Sequence, residues 1–224
     1  MRNDQSIITD TQLQLEPSET VVTLKLLYQL FFFEPNAILL KEVCSSGILL
    51  YWQEKLGNDC SVLENYLSDE NVLDKLQADH LSLFVGIGMP LAPPWGSVYL
   101  DEENLLFRSS TYQWIAFLEE HKFRYILDEK QPQDHIGLML SVLATLWQKI
   151  MDPNLKSEDK EYYKHATRIV LYEHLLTWEE RFCQLVYQNT KTPVYRLAGE
   201  ITHIVVNMLA RELQVQRTMT KLFF

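Results

Sequence analysis

Asp79-His80, Asp134-His135 and His174 are the side chains of this sequence that invite an acid–base or metal reading. Residues adjacent in sequence cannot by themselves form the orienting geometry of a catalytic triad, and no nucleophile motif of the GxSxG kind accompanies them. A satisfied histidine near a helix start is the ordinary outcome of such a pair. Cys44, Cys60 and Cys183 form an odd set with no CxxC and no histidine at metal-ligand spacing. They indicate neither a disulfide framework nor a zinc site, and they fit a reducing compartment. GxxxxGK[ST] and GxGxxG are absent, so a dedicated nucleotide fold has no support.

A second chemistry, recognition rather than catalysis, is written into one segment. Leu83-Phe84-Val85-Gly86, followed by Pro93-Pro94-Trp95-Gly96-Ser97-Val98-Tyr99-Leu100-Asp101, departs from ordinary loop composition and is expected to leave Trp95 and Tyr99 exposed between prolines and acids. Asp101, Glu102, Glu103 and Asp134 can each take a guanidinium in bidentate fashion, while Trp95 and Tyr99 can hold an apolar chain or stack on a guanidinium plane. Pro90, Pro93 and Pro94 lower the entropy of the loop and pre-organise those aromatics. Plainer roles stand beside these. Trp95 can be a core plug, Asp134 can be the N-cap of the helix that follows it, and the charge runs at 156–164 and 179–181 read as solvated helix faces.

The elements that must position these residues read as helices. Seven glycines in 224 residues, with no alternating strand pattern flanked by Asn-Gly or Asp-Gly, predict an all-α fold. Val21, Leu24, Leu27, Tyr28 and Phe31 give one helical face over 18–33, ending before Pro35. The spacing predicts further helices over 37–55 and 69–84. After the proline-rich loop, a third pattern runs through Tyr112, Ile115, Ala116 and Leu118. Ile136, Met139, Leu140, Leu143, Leu146 and Trp147 form a stripe that starts after Asp134, and the last two helices are expected over 157–187 and 193–215. One helical domain over 18–224 follows a flexible segment 1–17, and the polar segment Asp128 to Gln133 is where two lobes would meet.

Composition narrows the partners. The formal net charge of −10, from 30 acidic against 20 basic residues, repels nucleic acid and anionic lipid and favours a cationic partner. A 47% hydrophobic content fills a core without disulfides or metals. The longest uncharged stretch, 81–100, is too rich in proline and glycine for a spanning helix, so no membrane insertion is expected. Residues 1–15 carry acids, no apolar signal core and no Arg-Arg pair, which predicts a cytoplasmic location.

The 83–101 segment resembles the signature of the twin-arginine proofreading chaperones, or redox enzyme maturation proteins, in the branch serving dimethyl sulfoxide reductase. Asp134-His135 with Gly137 resembles the family's second motif. His174-Leu175 with Trp178 and Phe182 resembles its later helix, and Tyr195-Arg196 with Gly199-Glu200 its last. Tyr99 stands where the closest branch is expected to have Trp, as do His80 and Gly88. The resemblance implies a single-domain helical bundle of the TorD/DmsD type with no catalytic residue, metal or cofactor. It further implies a cytoplasmic chaperone that binds the twin-arginine leader of a molybdopterin-containing catalytic subunit until the cofactor is loaded, with the twin-arginine translocase as a second partner. By position, Leu83, Phe84, Pro94, Trp95, Tyr99, Asp134 and His135 inherit the leader-binding role. Two rivals remain open at this stage: an adaptor for a folded partner, and a metal- or cofactor-binding enzyme using His80, His135 and His174. Monomer and lobe-exchanged dimer are likewise both open.

Overall fold

The computed structural model describes residues 15–125 and 131–224. Regular structure there is helical: α1 (Pro17–Phe32), α2 (Ala37–Ser46), α3 (Ile48–Lys55), α4 (Ser61–Leu67), α5 (Val72–His80), α6 (Gly96–Leu100), α7 (Ser109–Glu120), α8 (Ile136–Met151), α9 (Ser157–Ile169), α10 (Glu179–Asn189) and α11 (Pro193–Glu212). Two π-helical turns, Leu81–Val85 and Val170–Leu175, continue α5 and α9. The expected all-α class is what the chain adopts. No helix among the described residues is long and apolar enough to cross a membrane.

Three long helices expected from periodicity are interrupted, each for a local reason. The 37–55 helix divides because Gly47 takes a left-handed φ of 67°, closing α2 through its N–H to Cys44 O and starting α3. The 69–84 helix begins only at Val72 and widens to π geometry at Leu81. The 157–187 helix widens at Val170 and breaks at 176–178, where the Trp178 indole donates to His174 O at 2.6 Å. The last helix ends at Glu212, three residues short of expectation.

The helices gather into two compact units, each built from separate stretches of chain. The first comprises Phe33–Pro93 and Arg181–Val205. Its apolar interior includes Leu49, Trp52, Leu63, Leu83, Phe182, Val186 and Tyr195. Its polar centre is the buried Asp79 carboxylate, which accepts from Thr190 Oγ1 at 2.7 Å, Lys191 N at 3.1 Å and Thr192 N at 3.0 Å. These bonds satisfy amides at the start of α11 that the helix itself leaves open.

The second unit comprises Leu15–Phe32, Pro94–Glu180 and Val206–Phe224. Of the expected flexible segment, residues 1–14 lie outside the described residues, Leu15 is buried and Pro17 opens α1. Of the expected polar hinge, Asp128–Lys130 lie outside the described residues and 131–133 belong to this unit. Helix α8 is its axis, with Ile136 through Leu140, Val142 through Ala144, Leu146, Trp147 and Ile150 buried, so it is apolar nearly all round. Helices α1 and α9 pack along it. At its start a Cβ on Gly137 would stand 3.1 Å from Phe32 Cβ and 3.2 Å from Tyr28 O, so glycine lets α8 approach the end of α1.

Gly96 has the same role beside Trp178. A Cβ there would stand 2.8 Å from the indole Nε1, and the indole cannot retreat because it stacks on Tyr99 at 5.1 Å and bonds to His174 O. Gly96→Ala should therefore cost about 1–3 kcal/mol in urea unfolding. A loss of only a few tenths would mean the indole relaxes freely.

Candidate functional site

The proline-rich segment and the Asp-His pair meet as a short two-stranded clamp in the second unit. Trp95 and His135 form an isolated antiparallel bridge, with Gly96 N donating to Asp134 O at 3.1 Å and Ile136 N to Pro94 O at 2.7 Å. The Asp134 carboxylate adds a bond from Ser97 N at 2.7 Å. The rings of Trp95 and His135 sit edge to face at 5.8 Å, and His135 meets Phe32 in the same manner at 5.0 Å. Both sequence motifs thus converge on one structure, which launches α6 from one strand and α8 from the other.

Asp134 is not the cap of α8. That place belongs to His135, whose Nδ1 accepts from Gly137 N at 3.0 Å; its backbone is extended where Asp134's position lies one residue too early. Asp134 instead reaches sideways to α6 and is fully buried. Burial raises its carboxyl above the ordinary 3.8, while the Ser97 N–H and the nearby hydroxyls of Ser97 and Thr111 pull it back. Oδ1, Ser97 Oγ and Thr111 Oγ1 are all buried without a hydrogen bond of good geometry.

The aromatic pair also differs from expectation. Trp95 is half-buried, with its indole N–H buried and unbonded. Tyr99 is completely buried, stacked on Trp178 and meeting Phe224 edge to face at 5.7 Å. It is exposed neither as ring nor as hydroxyl-bearing loop residue, because α6 turns it inward. Pro94 is buried too. Leu83 and Phe84 belong to the first unit and are likewise buried in the π-helical turn, Phe84 against Tyr195 at 5.3 Å and His80 at 5.3 Å. The turn holds the loop that follows, through Ala92 N to Leu83 O at 2.8 Å, while Ile87, Met89 and Leu91 of that loop are exposed.

The acids lie on the surface as expected, and already have partners. Glu102 and Glu103 are open, with Asp101 partly covered. Arg108 bonds Glu103 and approaches Asp101 at 3.3 Å, while Lys221 stands 3.8 Å from Glu102. After the acids and Asn104, Leu105, Leu106 and Phe107 are all substantially exposed, with Phe107 at a φ of 58°. Sequence reasoning passed over this trio, although three apolar residues outside any helical stripe are a readable signal.

The histidines proposed for catalysis or metal binding have structural surroundings. His80 Nδ1 lies 3.1 Å from Tyr195 OH in the first unit. His174 is buried against Trp114 at 5.0 Å and Phe117 at 5.7 Å, and burial pushes its pKa down to about 4. Among the described residues no group of three or more His, Cys, Asp and Glu side chains is placed to hold a metal ion.

Two pH responses of opposite sign follow. Asp134 is an acid held above its ordinary value, so its contribution favours folding at low pH and is lost as pH rises from about 3.8 through the raised value. Asp134→Asn keeps an acceptor for Ser97 N and should unfold in urea at pH 7 no more easily than the parent. Asp134→Ala strands that amide and should lose about 1–3 kcal/mol; equal stability of all three would show the bond to be dispensable. His174 is a base held below its ordinary 6.5, so folding is favoured above that pH and weakens as pH falls toward about 4. The loss over that interval should be roughly 3 kcal/mol, and a His174→Gln variant with the same pH slope as the parent would refute the assignment.

Comparison with known proteins shows the family of the chain. The family described as nitrate reductase delta subunit matches residues 51–184, more than half of the chain. A probable Tat proofreading chaperone DmsD of Haemophilus influenzae is 27% identical over 182 residues, covering 80% of this chain and 83% of that protein. The Tat proofreading chaperone DmsD of Salmonella typhimurium is 25% identical over 215 residues, 93% of this chain and 98% of that one. The chaperone protein TorD of a Psychrobacter species is 31% identical over 129 residues, 54% of each chain. The chain belongs to the nitrate reductase delta subunit family, in the group of the TorD and DmsD chaperones.

Proposed function

We propose that this protein is a cytoplasmic, non-enzymatic chaperone that binds the twin-arginine leader of a molybdopterin-containing reductase subunit of the dimethyl sulfoxide reductase kind before export. The observation that carries the reading is the surface of the second unit. Three acids, Asp101 to Glu103, are followed after Asn104 by three exposed apolar residues, Leu105 to Phe107, in the same unit as the half-buried Trp95. A leader presents adjacent guanidinium groups followed by an apolar stretch, which is the complementary order of chemistry.

Roles divide by exposure. Glu102, Glu103 and Asp101 receive arginine, and Trp95 with Leu105 and Phe107 takes the apolar part. Leu83, Phe84, Pro94, Tyr99, Asp134 and His135 serve from beneath: the clamp residues fix the 95–103 surface, and Leu83 with Phe84 fixes the exposed 86–92 loop. The twin-arginine translocase is a further partner, reached while the leader is held.

A synthetic leader with two arginines should bind with a micromolar dissociation constant or better in calorimetry, and a scrambled peptide should not. Glu102→Gln with Glu103→Gln should weaken binding a few-fold, through slower association, and flatten its salt dependence while unfolding stays unchanged, because exposed acids contribute little to stability. Trp95→Ala should cost roughly 2 kcal/mol of leader binding. Equal affinity for leader and scrambled peptide would overturn the proposed specificity.

A further inference from the structure

The segment after α11 lies extended along the second unit, and its contacts are of the kind a basic, apolar peptide would make. Arg217 donates through Nη1 to Leu176 O at 2.8 Å and through Nη2 to both oxygens of Glu179, at 3.0 and 2.9 Å. It also faces Glu180 at 3.5 Å. Four residues on, Lys221 stands over the Phe223 ring at 4.4 Å and faces Glu102. Phe223 N donates to Tyr99 O at 2.9 Å, and Phe224 packs its edge on the Tyr99 ring. Two cations therefore rest on carboxylates, three half-buried apolar residues follow, and the backbone pairs with α6 of the candidate site.

The two ends of this segment are held very differently. The Glu179 carboxylate is completely buried, so removing Arg217 would strand a charge away from water. Lys221 and Glu102 are both more than three-quarters exposed, and such a pair is worth little. Met219, between them, is fully exposed and anchors nothing. The segment is thus fixed at Arg217 by a buried ion pair, and from 218 onward by one backbone bond to Tyr99, half-buried apolar contacts and an exposed ion pair.

We infer that residues 218–224 are a built-in competitor: they occupy the surface formed by Tyr99 and Glu102 as a detachable pseudo-ligand, and an incoming peptide with cations ahead of apolar side chains displaces them while Arg217 stays in place. The inference rests on the leader-binding reading for the identity of the incoming peptide, and on the contacts above for the surface itself. Displacing them uncovers the side of Tyr99 that Phe224 packs on, and so enlarges the apolar part of the site.

The test uses the full chain with Leu222, Phe223 and Phe224 changed to Ser, which leaves every charge and the Arg217–Glu179 pair intact; Phe224→Ala alone is the milder variant. Calorimetry with the twin-arginine leader should show the triple variant binding about tenfold more tightly than the parent, the factor expected if the surface is free about a tenth of the time. The single variant should gain in the same direction. A synthetic peptide of residues 218–224 should bind the triple variant saturably and displace a labelled leader. Equal leader affinity in parent and both variants overturns the competitor and leaves leader binding standing. If the leader binds none of them, saturable binding of the 218–224 peptide to the triple variant still supports the surface, and failure of that peptide as well overturns it.

Discussion

The pairing of Pro94–Gly96 with Asp134–Ile136 is the constraint on which the second unit depends. Pro94, Trp95, Asp134 and His135 precede helices and the N–H groups of Gly96 and Ile136 at the helix starts have no intrahelical partner, and buried amides left unpaired are costly. Here each strand satisfies the other through Gly96 N, Ile136 N and the Asp134 carboxylate on Ser97 N. The same few residues set two helix starts. Gly96 and Ser97 open α6, and His135 caps α8, the apolar axis against which α1 and α9 pack. The position of the Trp95 surface therefore follows from bonds made beneath it, and an error in the clamp is transmitted to both helices.

Helix class and approximate extents were legible because apolar residues recur at helical spacing along most of the chain. Where the prediction departed, a local feature outweighed periodicity. Gly47 breaks an otherwise continuous pattern through a left-handed φ that the stripe does not encode, and the π-helical turns arise where side chains such as Trp178 compete for backbone carbonyls. Asp134 has the composition of a cap and sits one residue from the helix; only the cross-strand geometry shows that its carboxylate is taken by Ser97 while His135 caps. Tyr99 was expected at the surface from its proline- and acid-rich neighbours. The short helix α6 turns it inward instead, onto Trp178, a residue far along the chain whose proximity no local pattern reveals.

The acids of the candidate site divide by environment, and the division limits what each can do. Asp134 is buried, with its carboxyl held toward the neutral form. A guanidinium could reach it only by dismantling the clamp, at the cost of the Ser97 bond as well. Asp101, Glu102 and Glu103 are reachable, but Arg108 and Lys221 already occupy them. An arginine arriving from solution therefore exchanges one exposed ion pair for another, and such exchanges are close to neutral in free energy.

If the leader binds as proposed, its affinity must come mainly from its apolar part, and the charges must act chiefly on encounter and register. In that mode a net charge of −10 would draw the cationic segment in, and the acids would fix which end of it faces α6. Burial of the following apolar side chains on Trp95, Leu105 and Phe107 would supply the favourable term, since these are surfaces the chain leaves at least partly in water. Specificity under this arrangement belongs to the conjunction: a peptide with arginines alone finds only exchanged pairs, and an apolar peptide alone lacks the steering. Only a segment carrying both in the right order engages both halves at once, with the second contact made at the high effective concentration that the first provides.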